Sequence, residues 1–401
     1  MKNLSLAAFL SGNPTDGGAY VHKVGVLRVL KRMQGPDLSV IAICDTKDNL
    51  CVAREIGLTA ILWKNRYWKR VLGAIAATEF VRKRLPVAIG RRISPLSRLL
   101  VRMNVDLVLF SSPDRQYAQL YSQSFIFSIL DLAHLEYPEF PEVSHCGEFE
   151  RRESLYELGA RKAIAVIADS EPSRRLIAAQ YRVSQSRIYA APFLTHPVYS
   201  HFEADVESAA DIVKRYRLSS PYIFYPAQFW PHKNHRYILR ALKCLRERCG
   251  WAPQAVFCGS DKGSLNSVLR EAREIGVDDL INYCGFVPDR DLPYLYRGAL
   301  ALVMPTYFGP NNIPPLEARA LGVPVIYSDF PSFREQMGDT VVYVDLSDPN
   351  RLASEIQEIN LGNAVRNKNQ SDDAARLCDH ASEAYLEVLR SIIKRYRGIM
   401  Y

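Results

Sequence analysis

Short apolar runs alternate with amphipathic helical patterns along almost the whole chain, and this alternation admits few folds. In the first half the runs are LSLAAFL (4–10), LSVIAICD (38–45), ILW (61–63), VDLVLFSS (105–112), FIFSILD (125–131), AIAVIAD (163–169) and RIYAAPFLTHP (187–197). In the second half they fall at 222–226, 255–258, 281–284, 300–304, 323–327 and 341–344. Uninterrupted apolar strands separated by helices predict mostly parallel sheets covered on both faces. The two groups of runs are joined by a linker ending near residue 215. At 401 residues the chain is long enough for two cores. The expected division is 1–205, 215–375 and a long amphipathic helix over 376–401.

Hydrophobic residues make up 48% and charged residues 23%, as in a globular protein, and no apolar run reaches the length of a membrane span. The opening MKNLSLAAFLSG leads straight into a glycine-containing turn, so it reads as a first strand and not as a leader. The eight cysteines form no CxxC pair, and Cys44, Cys258 and Cys284 sit in strand-like runs. They read as core residues in a reducing compartment, with neither a disulfide framework nor a zinc site. The net charge of +8 is uneven. Residues 63–104 hold eleven Lys or Arg against one acid, Glu79, interleaved with Trp63, Tyr67, Trp68, Val71, Leu72 and Ile75. Such a basic amphipathic segment suits an anionic membrane surface. Nucleic acid is the weaker reading, because no recognised nucleic-acid module accompanies the segment. A solvated helix face is the plain alternative.

Two segments carry chemistry. TYFGPNNIPPLEARALGVPVI (306–326) reads as a loop, a short helix and a buried strand. Pro314 and Pro315 suit a helix start, Glu317 is expected in the first turn, and Gly322 with Pro324 marks the helix end. A carboxylate at the mouth of an α/β unit, beside free backbone amides, suits a ligand with sugar hydroxyls and phosphates. YIFYPAQFWPHKNH (222–235) is a strand, a loop with Lys233 and a helix start near Asn234. Lys233 is placed to meet a diphosphate as a compact charge. Near the N-terminus Gly17 and Gly18 allow close backbone approach where a helix begins.

Together the two segments resemble glycosyltransferase family 4, the retaining nucleotide-sugar transferases of GT-B fold. Lys233 matches the family lysine and Glu317 the second of its two glutamates. Gln228 stands where the family has arginine, and Gly309 where it has the first glutamate. The resemblance implies two Rossmann-like domains facing across a cleft, with the C-terminal helix crossing back to the N-terminal domain. It also implies that Glu317 holds the donor ribose and Lys233 the diphosphate. Asn311, Asn312 and Ile313 would then offer backbone amides to the donor sugar, Val287 would meet the base through its main chain, and Gly17 and Gly18 would lie near the phosphates and acceptor.

On the acceptor side, the DLAH segment offers Asp131 and His134. The family usually has a histidine directly before the aspartate, where this chain has Leu130. His134 is expected to orient the acceptor or touch the donor sugar, with a structural histidine as the alternative. The one DxD spacing in the chain, Asp289-Arg290-Asp291, follows a CGFVP strand end and reads as a helix cap, and GT-B enzymes generally meet the diphosphate with cations and helix N-termini, so neither a metal nor a cofactor is expected. His232 and His235 flank Lys233 at metal-like spacing without a third ligand nearby. The expected activity is hexosyl transfer from a nucleotide sugar, GDP-mannose being one candidate. The expected acceptor is a lipid-linked or membrane-proximal glycan in surface-polysaccharide synthesis, at the cytoplasmic face of the membrane. The competing readings are a GT-B nucleotide-sugar epimerase and a catalytically silent sugar-nucleotide or polysaccharide-binding protein, the latter favoured by the loss of a glutamate at Gly309. A NAD enzyme is disfavoured because no strand is followed by GxGxxG.

Overall fold

In a computed structural model, residues 3–14, 17–63, 92, 94–194, 206–309, 312–363 and 370–400 are described. The basic segment over 63–104, expected to meet a membrane, therefore lies mostly outside the described residues, as does Asn311. The chain divides into two compact units. The first comprises Met1–Leu132, Gly147–His196 and His380–Tyr401, and the second Ala133–Cys146 and Pro197–Asp379. The short 133–146 stretch thus groups with the second unit.

The first unit is built on a seven-stranded sheet: β1 (Leu4–Leu10), β2 (Leu38–Cys44), β3 (Thr59–Leu62), β4 (Leu107–Phe110), β5 (Ser124–Ile129), β6 (Ala165–Ala168) and β7 (Ile188–Ala190). Their spatial order is β3-β2-β1-β4-β5-β6-β7, and every pairing is parallel. The order reverses direction between β1 and β4, which leaves a crevice where their C-terminal loops part. β4 and β6 are buried along their whole length, because helices cover both sheet faces. From His380 onward the helix Gln370–Met400 belongs to this unit. Tyr385, Leu389, Ile392 and Tyr396 recur at helical spacing and pack with Leu4, Leu6, Leu27 and Leu30. Each such burial stabilises the unit by about 1.5–3 kcal/mol.

The second unit repeats the plan with six strands: β8 (Tyr222–Pro226), β9 (Gln254–Cys258), β10 (Ile281–Tyr283), β11 (Ala301–Met304), β12 (Val325–Ser328) and β13 (Val342–Val344). Their order is β10-β9-β8-β11-β12-β13, again all parallel. The reversal here lies between β8 and β11. Phe224, Tyr225, Phe257, Tyr296 and Tyr327 are fully buried, and Phe224 meets Tyr296 edge to face at 4.9 Å. Among the described residues no helix is long and apolar enough to cross a membrane. Cys44 and Cys258 are buried and Cys284 partly so, all as free thiols.

Candidate functional site

The second unit brings Lys233 and Asn312 together at its reversal point. β8 ends at Pro226, and the loop that follows is pressed against the loop after β9. There Gly259 adopts φ +135°, and a Cβ on it would lie 2.6 Å from the Ala227 carbonyl oxygen. Phe229 N–H donates to the Ser260 carbonyl at 3.0 Å, fixing the same contact. The loop closes with a 3-10 turn, Pro231–Lys233, and Asn234 in the left-handed region starts the helix His235–Cys249. Tyr225, buried in β8, donates its hydroxyl to the Lys233 carbonyl at 2.8 Å and anchors the lysine from the sheet side.

The Lys233 ammonium donates to Asn312 Oδ1 at 3.1 Å. Asn312, at the end of the loop after β11, is held in turn: its Nδ2 donates to the Tyr327 hydroxyl at 2.7 Å, and Gln336 Nε2 donates to its carbonyl at 2.7 Å. Asn312 thus meets Lys233 through its side chain, a contact that the resemblance, which concerned its backbone amide, did not include. Burial pulls Lys233 down to about 8, against the opposing pull of the Glu142 carboxylate. A lysine that has lost hydration while still largely charged at neutral pH favours an incoming anion.

The glycine at 309 has a local reason. Gly309 sits at φ +148°, and a Cβ there would lie 2.9 Å from Asn312 Oδ1, the oxygen that receives Lys233. A glutamate at this position would be strained at that φ and would press on the oxygen that receives Lys233. At Gln228 the family's arginine is likewise replaced by a neutral group, whose Oε1 accepts from Trp230 Nε1 at 3.0 Å within the loop.

Glu317 lies on the helix Ile313–Ala320. That helix begins at Ile313, one residue before the proline pair, so Glu317 falls past the first turn and not within it as the sequence predicts. Its Oε2 accepts from the Tyr296 hydroxyl at 2.6 Å. Burial pushes the Glu317 carboxyl up to about 7; the Tyr296 hydrogen bond opposes this and Asp289 reinforces it. Nearby, Gly285 takes φ +66°, Phe286 is 72% exposed, and Val287 is turned into the core at 5%.

His232 and His235 have separate roles. His235 is buried and stacked on Phe229 at 4.1 Å, and burial lowers it to about 3, so it is a neutral core ring. His232 Nδ1 lies 2.6 Å from Glu142 Oε1, which also accepts the His232 backbone N–H at 3.0 Å. Burial alone would raise Glu142, but these hydrogen bonds outweigh it and hold the carboxyl below its usual range. The His232 ring also stacks on Phe308 at 4.0 Å.

The remaining predicted residues are placed within their own units. His134 is fully buried in the short helix Ala133–Glu136 of the second unit. Asp131 belongs to the first unit, where its carboxylate binds Arg152 Nη1 at 2.8 Å. Gly17 caps the helix Gly18–Met33 with φ +69°, at the reversal point of the first sheet. Glu142 and Tyr296 escaped sequence reasoning. Glu142 lies 90 residues from His232, and nothing local in either segment signals the pairing.

The family model for glycosyl transferases group 1 matches residues 211–375. The chain is similar to O-antigen chain mannosyltransferase B of Escherichia coli, 33% identical over 147 residues, which is 36% of this chain and 38% of that protein. It is also similar to O-antigen chain mannosyltransferase RfbU of Salmonella typhimurium, 30% identical over 130 residues, covering 32% of this chain and 36% of that one. The matched stretches thus span little more than a third of these relatives. In three dimensions it is similar to Anabaena HepE, solved in complex with UDP and glucose, with a TM-score of 0.67, 13% identity and coverage of 99% of this chain and 100% of that one. The chain accordingly has the two-sheet GT-B fold, and its residues 211–375 match the glycosyl transferases group 1 family.

Proposed function

We propose that this protein transfers a hexosyl unit from a nucleotide sugar to a glycan acceptor in surface-polysaccharide synthesis, with retention of configuration. The observation that carries this reading is the Lys233–Asn312 contact at the reversal point of the sheet in the matched domain. In this reading the Lys233 ammonium, aimed by Asn312, takes up the charge that develops on the leaving diphosphate. Backbone amides at the start of the helix Ile313–Ala320 add to that stabilisation. Glu317, held by Tyr296, accepts hydrogen bonds from the ribose hydroxyls, and Val287 meets the base through its main chain. His134 remains the acceptor-side candidate of this reading. No metal is required by this arrangement. GDP-mannose is the favoured donor because two relatives are named mannosyltransferases. HepE, solved with UDP, makes a uridine donor the first alternative. A lipid-linked acceptor, with attachment to the inner membrane face through 63–104, fits the charge of that segment.

A silent sugar-nucleotide-binding protein is the second reading, favoured by the absence of a carboxylate at Gly309. The test measures binding and turnover with GDP-mannose, UDP-glucose, UDP-galactose and dTDP-sugars in the presence of EDTA. Binding of one class with release of the nucleoside diphosphate in the presence of glycan supports transfer. Binding without release under any acceptor favours the silent reading, and no binding defeats both.

A further inference from the structure

A second concavity lies in the same unit, at the same edge of the sheet, beside β12 and β13. It encloses about 530 Å³, a volume typical of small-ligand sites. Tyr137 and Phe330 form its aromatic wall, 6.4 Å apart and nearly perpendicular, and Tyr307 lies 6.5 Å from Tyr137. Asp329, Asp345 and Ser347 supply its polar groups. Among the described residues no lysine or arginine lines it, which disfavours a phosphate or a nucleotide. The Asp329 carboxylate is already neutralised by a bidentate pair with Arg334, at 2.5 and 2.9 Å. Asp345 Oδ1 accepts the Ser347 N–H at 2.8 Å, which orients the carboxylate while its exposed oxygen can still accept.

Aromatic faces beside hydroxyl-accepting groups, without an unmatched strong charge, fit one ligand chemistry. A pyranose offers polarised C–H groups on its face, which meet the negative face of an aromatic ring, and hydroxyls on its rim, which need carboxylate and hydroxyl partners. The cavity is also coupled to the donor-side loop. Tyr307 N–H donates to the His232 carbonyl at 2.9 Å, and Tyr137 stacks on Phe308 at 5.5 Å, the ring that itself covers His232.

We infer that the Tyr137–Phe330–Asp345 cavity is a binding subsite for a neutral hexose of the acceptor glycan, held by the second unit itself. This rests on the glycosyl-transfer reading above, and it adds a sugar-binding position separate from the donor residues. The subsite grips a sugar of the acceptor chain beside the loop that carries Lys233.

Saturation-transfer NMR on the full chain tests it, with mannotriose and maltotriose as neutral probes, choline as a cationic control and GDP-mannose and UDP-glucose as donors. The expected result is saturation of a neutral trisaccharide that Phe330→Ala weakens about ten-fold, equivalent to about 1.4 kcal/mol. Donor binding should stay within two-fold. Because Phe330 also packs on Phe333, Asp345→Asn serves as a variant that keeps the turn, and it should weaken the same sugar. Saturation of choline instead, or trisaccharide binding indifferent to both variants, overturns the subsite. Donor binding without any trisaccharide binding overturns it too while leaving the transferase reading standing. Loss of both donor and sugar binding in the parent chain defeats both.

Discussion

Glu317 is held at a cost that one substitution can expose. Its carboxyl is raised from 4.5 to about 7, so the folded protein keeps a proton that the unfolded chain releases between those values. Stability is therefore highest below pH 4.5, falls as pH rises through the window, and levels off above 7. At about 1.36 kcal/mol per pH unit, the full fall is about 3.4 kcal/mol, and partial exposure of the side chain lowers this to about 1–2 kcal/mol. Glu317→Gln carries no charge and can still accept from Tyr296, so it should remove the fall. In calorimetry, the transition of the second unit should rise by about 2–6 °C at pH 8, and the gain should vanish at pH 4.5. Donor affinity should drop at the same time, if the carboxylate receives ribose hydroxyls. A lower melting temperature at pH 8, or a gain that persists unchanged at pH 4.5, would refute the reasoning.

Further outcomes follow from the same geometry. Lys233, lowered to about 8, should lose charge as pH rises through that value, so donor affinity should decline in isothermal titrations above it, and Lys233→Met should abolish that pH dependence along with most of the affinity. Gly309→Glu, which makes position 309 match the family pattern, should lower donor affinity, because its Cβ meets the Asn312 oxygen at 2.9 Å; a gain in titrated affinity would contradict this. Gly259→Ala, strained at φ +135° and blocked by the Ala227 carbonyl, should cost about 3 kcal/mol or more and lower the urea midpoint of the second unit. In the first unit, His22 accepts the Leu194 N–H at 3.0 Å and is lowered by burial to about 3. Stability of that unit should accordingly be lost as pH falls from about 6.5 toward 3, and His22→Gln should flatten that slope in acid-unfolding curves.

The strands were legible because parallel strands buried on both faces leave unbroken apolar runs, and those runs match thirteen strands in two sheets. Lys233 and Glu317 stood out as candidates because each sits beside a local marker: the end of a buried strand for one, a proline pair at a helix start for the other. Contacts between distant segments were not. The Asn312 side chain matters because Lys233, 79 residues earlier, folds onto it, and neither neighbourhood carries a sign of the other. The pairing of Asp131 with Arg152, 2.8 Å away and 21 residues later, likewise has no local sign in the sequence. The helix register that moved Glu317 beyond the first turn was set by Ile313, whose apolar side chain gives no boundary signal.

The order in which the units are interleaved along the chain bears on their birth at the ribosome. The polypeptide passes from the first unit to the second at 132–133 and again at 196–197, and returns at 146–147 and 379–380. The second unit's long continuous stretch emerges whole, and can condense, while the first unit still lacks Tyr385, Leu389 and Ile392 over Leu4 and Leu30. The earlier-made half is thus completed later, so a stop codon after residue 379 would spare the six-stranded sheet and strip the seven-stranded one of its apolar cover.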